Sequence, residues 1–153
     1  MAKAKKAVAP VLTKTIESLR ALMSNADSDN QSTLTTSYQV DVTNNPTRAI
    51  QMSLNFVPAG ILPTSTVKVD STVVADAKTG AINSLLLGTN QDLDSKFLTI
   101  ICLINVPSAV SFPATIQLSF SLAGGMNPYS HQLSNTVNQA GLTTFYIDIF
   151  FSN

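Results

Sequence analysis

The sequence predicts a mainly β fold: an antiparallel β-sandwich, Greek-key or jelly-roll-like, preceded by one short amphipathic N-terminal helix. Three observations predict it. Apolar residues recur at every second position through most of the chain after residue 35. Clusters of Pro, Gly and Asn interrupt these runs at about strand-length intervals. Only ahead of residue 25 does the apolar spacing change to three and four. The 153 residues, 44% of them hydrophobic, suit one domain able to bury a core. The expected division is a basic leader, helix and polar linker over 1–32, then the sandwich over 33–153.

Residues 1–10 are Ala/Lys-rich and end at Pro10; Leu12, Ile16, Leu19 and Met23 then form one helical stripe. Thr13, Lys14, Glu17 and Arg20 fall off that stripe, so a helix over about 11–24 has a narrow apolar face and a polar back. Ser24 to Ser32 is a tether rich in Ser, Asn and Asp. The plain reading docks the helix on its own domain. The sharper one makes Leu12, Ile16, Leu19 and Met23 a subunit interface on a neighbouring copy.

From Thr35 the period becomes two. Tyr38, Val40 and Val42 alternate with polar residues, Asn44 to Thr47 makes a turn, and Ile50, Met52, Leu54 and Phe56 alternate again, which reads as a hairpin with one wet face. Pro58, Gly60 and Pro63 break the chain. Thr66 to Ala75 reads as a β-branched strand, joined through a turn over Asp76 to Gly80 to an apolar piece from Ile82 to Leu87, a second hairpin. After the polar loop Gly88 to Lys96, Phe97 to Val106 lacks polar alternation and is the expected central strand, covered on both faces. Ile116, Leu118, Phe120 and Leu122 mark another strand, ended by a turn over Ala123 to Pro128. Tyr129 to Gly141 reads as a long loop or one weak strand. Phe145, Ile147, Ile149 and Phe151 mark a last strand, too apolar to stand as an unpaired edge.

Composition limits function. Charged residues make only 12%, against about 25% in an ordinary soluble domain. Nine basic and nine acidic residues cancel, so no global field draws the chain to nucleic acid or an acidic membrane, and near-zero net charge favours association. Lys3, Lys5 and Lys6 make only a small basic arm, without aromatic interleaving, so nucleic acid is not an expected partner. No run approaches the roughly 18 apolar residues of a membrane span. The apolar stretch after the leading lysines is short and holds Pro10, so no credible signal peptide is read. The expected location is the cytoplasm or an assembled particle.

No catalytic centre is recognised. His131 is the only histidine and Cys102 the only cysteine, which leaves no multi-histidine or thiolate metal set, and no metal or cofactor is expected. Cys102 lies inside an apolar run, where a thiol behaves as a buried hydrophobe. A Gly-x-Ser-x-Gly elbow and a phosphate loop are absent. Glu17 is the only glutamate, and the aspartates stand in turns or on wet strand faces. Two loops offer ligand candidates. Asn90, Asp92 and Asp94 place side-chain oxygens at alternate positions, a hard-oxygen set that calcium accepts, though without the glycine and distal glutamate of an EF-hand. Tyr129, beside Pro128, is the aromatic best placed to stack on a sugar ring.

Two functions are expected on these grounds. The first is a non-enzymatic structural or self-assembling protein, a homo-oligomeric shell, fibre or particle subunit that uses its N-terminal helix and arm for subunit contacts. The alternative is a loop-based binding module for carbohydrate, peptide or protein, calcium-assisted through Asn90, Asp92 and Asp94.

Overall fold

Strict alternation lets a strand bury one face while wetting the other, and a chain with many such strands must stack them around common apolar surface. A computed structural model describes residues 31–58 and 61–153. Leu12, Ile16, Leu19 and Met23, with the helix expected over about 11–24, lie outside the described residues.

The described chain runs β1 (Gln31–Gln39), β2 (Ala49–Val57), β3 (Thr64–Val69), β4 (Thr72–Thr79), β5 (Ile82–Thr89), α1 (Asn90–Leu93), β6 (Phe97–Val106), β7 (Ala114–Ala123), β8 (Tyr129–Val137) and β9 (Gly141–Ser152). Five strands form one sheet in the order β1-β9-β6-β3-β4, and four form a second in the order β5-β2-β7-β8. The fold is therefore mainly β with two sheets. Ile50, Met52, Leu54, Leu118 and Phe120 from the second sheet share one buried core with Leu98, Ile100, Phe145, Ile147 and Phe151 from the first.

Phe97–Val106 is the middle strand of the five, paired antiparallel with both β3 and β9. Its core face is fully buried, whereas its other face grades from exposed Phe97 to buried Ile101. The last strand lies between β1 and β6, so both its edges are hydrogen-bonded, as its lack of charge requires.

The pairing departs from the sequence reading at three points. β1 and β2 are not a hairpin: they lie in different sheets, and β1 runs parallel to β9, with Tyr38 beside Phe151. Alternation fixes which face is buried, and two strands facing the same core from opposite sides alternate just as a hairpin does. Secondly, the run from Thr66 to Ala75 is broken at Asp70, whose φ of 52° turns β3 directly into β4. Asp70 also holds Phe97, accepting from its N–H at 2.9 Å and donating its own N–H to the Phe97 carbonyl at 2.8 Å. The expected turn over Asp76 to Gly80 is instead the end of β4, irregular at Ala77 (φ 45°). Thirdly, β5 pairs with β2 and not with the strand before it. Of the two readings of Tyr129 to Gly141, long loop or weak strand, the structure has a strand, the regular edge strand Tyr129–Val137. Its polar sequence fits because only Asn135 and Val137 are buried there.

Candidate functional site

Two features of the described residues stand out as sites: a buried polar knot where three loops meet, and the outer face of the four-stranded sheet.

The knot is built on Asn90, the first residue of α1 and fully buried. Thr89 precedes it as N-cap, and Asp92 closes a capping box: the Thr89 hydroxyl accepts from Asp92 N–H at 3.2 Å, and the Asp92 carboxylate accepts from Thr89 N–H at 3.1 Å. That box aims the Asn90 amide inward. Its Oδ1 accepts from Asp41 N–H at 3.0 Å, and its Nδ2 donates to the carbonyls of Asn45 at 2.9 Å and Gly124 at 3.0 Å. One side chain thus ties the 40–48 crossover and the 124–126 turn to α1. Asp41 is bound in turn by the side-chain amides of Asn45 and Asn44 and by Asn44 N–H. The Asn45 amide, then Asn44, hold its carboxyl below the ordinary range. In the 124–126 turn, Gly125 N–H donates to the Tyr38 hydroxyl at 2.9 Å. Gly124 (φ 109°) lies so close to the Ala49 carbonyl that no Cβ fits.

The oxygens read from sequence as a calcium set are therefore engaged otherwise. Asn90 Oδ1 serves backbone. Asp92 is held by Thr89, whose hydroxyl and then backbone N–H lower its pKa. Among the described residues, Asp94 accepts from its neighbour Ser95, at 3.4 Å. Among the described residues no three His, Cys, Asp or Glu side chains converge to hold a metal ion. The two loops proposed from sequence do meet, through Asn90 and Gly124.

Tyr129 is half-buried. Its ring lies 6.5 Å from Tyr38 and 6.1 Å from Phe120, and it stacks on His131 at 6.4 Å with an interplanar angle of 10°. With Ser37, Gln39, Asn127 and Pro128 it lines a small recess of about 160 Å³. Cys102 is buried in β6, where desolvation pushes the thiol up to about 12; the Ser65 hydroxyl donates to its sulfur at 3.3 Å.

The second feature emerges only when the sheets are assembled. Not one Asp, Glu, Lys or Arg occurs in β2, β5, β7 or β8. Their outer face carries amides and hydroxyls in register, Asn55, Ser119 and Gln132 in one row and Ser53, Ser121 and Ser130 in the next, with exposed Leu86 and Val57 at its margins. Gln132 Nε2 donates to Gln117 Oε1 at 3.1 Å, and the Thr115 and Thr136 hydroxyls lie 3.1 Å apart. A shallow recess of about 300 Å³ opens there beside Asn55, Ser119, Ser130, His131 and Gln132. The five-stranded sheet, by contrast, carries Lys68, Asp76, Lys78 and Asp148 in its strands. Sequence reasoning missed this face; the signal was available as four charge-free segments, but nothing in the sequence says they share a sheet.

No protein-family model, curated protein or solved structure matches the chain. No described helix is long and apolar enough to cross a membrane.

Proposed function

We propose that this chain is a non-enzymatic structural protein, a self-assembling β-sandwich that serves as a subunit of a shell, fibre or particle, and that copies meet through the outer face of the four-stranded sheet. The observation that carries this reading is the absence of charge from all four strands of that sheet. Surfaces that stay in water normally carry charge, whereas the centres of protein interfaces are depleted of it. Amides and hydroxyls keep such a face wettable yet cost little to desolvate when a second copy offers matching donors and acceptors. Four strands at about 4.8 Å spacing and about nine residues long give a projected area of roughly 550 Å². That approaches the about 800 Å² of accessible surface per partner in a standard interface. Zero net charge works in the same direction.

The test is solution mass by light scattering, over a range of concentrations, for the full chain and for a full chain with Asn55→Lys, Ser119→Lys and Gln132→Lys. These side chains point away from the core, so the melting temperature should hold while the large species dissociates. A parent chain that stays monomeric at every concentration would end the reading, as would a variant that keeps the parent's mass.

The recess beside Asn55, Ser119 and Gln132 favours a second reading, a site for an uncharged polar ligand such as a carbohydrate. On that reading the parent is a monomer retained by an immobilised glycan, and Ser119→Ala with Gln132→Ala abolishes retention.

A further inference from the structure

We propose that the segment carrying Leu12, Ile16, Leu19 and Met23 docks on the outer face of the five-stranded sheet of its own subunit, over Ile101, Lys68 and Thr144. This goes beyond the assembly reading and does not rest on it.

The receiving face carries a continuous apolar strip along β6 and β9, beside the polar Lys68, Thr144 and Asp148. β6 turns Phe97, Ile101 and Leu103 away from the core, and β9 turns Leu142, Tyr146 and Phe150 the same way. Phe97 and Phe150 pair across the strands with ring centroids 4.9 Å apart. Such a face in contact with water is a docking surface or an aggregation hazard.

Burial on this face points to a cover. Ile101 is 8% exposed although it stands between Ile100 and Cys102, which face inward, and it is not part of the shared core. Lys68, beside Thr99 on the same face, is also 8% exposed, in a residue type almost never buried. Thr144 is 2% exposed, and its hydroxyl is buried without a hydrogen-bond partner. On the outer face of the other sheet, Gln51 and Asn55 of the central strand β2 are exposed.

Chain continuity selects the occupant. Gln31 opens β1 at the edge of this same sheet, in register with Thr144 and, through it, with Leu103. From there to the middle of β6 is two strand spacings, about 10 Å. The tether from Ser24 to Asn30 can span more than about 20 Å. In the helical form its spacing predicts, Leu12 to Met23 covers about 16 Å. The strip from Leu103 to Phe97 is about 20 Å long. The chemistry also matches in that four apolar residues at helical spacing face an apolar strip.

Hydroxyl-radical footprinting of the full chain tests the proposal against a full chain with Leu12→Ser, Ile16→Ser and Leu19→Ser. Oxidation of Ile101 and Tyr146 should rise at least about fivefold in the variant, while Tyr129, on the other sheet, is unchanged. Equal rates in the two chains overturn the docking. So does a parent chain in which Ile101 and Tyr146 already oxidise as fast as the exposed Leu62, a result that needs no substitution. The source is fixed by disulfide trapping in the full chain with Ile16→Cys and Ile101→Cys, oxidised as a mixture of heavy-isotope and ordinary copies. Intrachain bonds whose rate is independent of concentration are expected. Heavy–light dimers, or no bond between the two positions, overturn docking within one subunit.

Discussion

Replacing Asn90 with Ala removes the one side chain that joins the 40–48 crossover, α1 and the 124–126 turn, and its cost can be worked from three bonds. Asp41 N–H loses its acceptor, and the Asn45 and Gly124 carbonyls each lose a donor. A buried N–H left without a partner costs about 1–3 kcal/mol, and a net hydrogen bond to a carbonyl about 0.5–1.5 kcal/mol. Taking the N–H near 2 and each carbonyl near 1 gives about 4 kcal/mol. For a domain of this size, that lowers the melting temperature by roughly 12–16 °C, at about 3–4 °C per kcal/mol. The assay is urea and thermal denaturation followed by far-UV circular dichroism, since the chain has no tryptophan. Asn90→Asp sharpens the test: the introduced carboxylate faces two carbonyls and loses both donors, so it should be worse than Ala at pH 7 and recover as acid restores one donor. A loss below about 1 kcal/mol for Asn90→Ala would refute the assignment of Asn90 as the tie between these loops.

Asp41 and Asp92 both have lowered pKa values, Asp41 chiefly through the Asn45 amide and Asp92 chiefly through the Thr89 hydroxyl. Their contribution to stability is therefore complete above the ordinary carboxylate value of 3.8 and is lost as pH falls through the lower folded values; acid titration of Asp41→Asn should show a shallower loss over that window. Cys102, pushed up to about 12, should react with a disulfide reagent only when the sheet opens. Its modification rate should lie more than about a thousandfold below that of a free thiol and rise with urea; rapid labelling in buffer would show that β6 is accessible. Gly124→Ala forces a Cβ onto the Ala49 carbonyl at a positive φ and should destabilise the fold by about 2 kcal/mol or more, measured by the same urea titration.

The strand faces were legible because burial acts on every second residue: Ile50, Met52, Leu54 and Phe145, Ile147, Ile149 are buried as their alternation requires. Strand partners were not legible. Nothing near Thr33 says that it will lie beside Tyr146, because the pairing with β9 is set by how the chain crosses between sheets. Turn chemistry misled where backbone geometry overrode composition. Asp70-Ser71 is a weaker turn signal than Asp76 to Gly80, yet it makes the tight turn, with Asp70 able to take a positive φ and anchor Phe97. β8 read as either a loop or a weak strand because an edge strand wetted on most of its surface has little need of apolar residues.

The sites divide in the same way. Asn90, Asp92 and Asp94 were visible as oxygen-bearing residues, but what an oxygen is for depends on its partners, and those of Asn90 lie tens of residues away in Asp41, Asn45 and Gly124. Composition gave the low charge without giving its distribution, and the distribution is the informative part. The strands that make the five-stranded sheet hold Lys68, Asp76, Lys78 and Asp148, and the strands that make the other hold no Asp, Glu, Lys or Arg. Apart from the consecutive pairs β3–β4 and β7–β8, successive strands fall in different sheets, so the distribution emerges only when the sheets are assembled. The two outer faces consequently invite different partners. One carries an apolar strip along β6 and β9 beside Lys68 and Asp148, and includes buried outward residues. The other carries no Asp, Glu, Lys or Arg in its strands, and it is the face whose conversion to lysine should decide between an assembling subunit and a solitary binding domain.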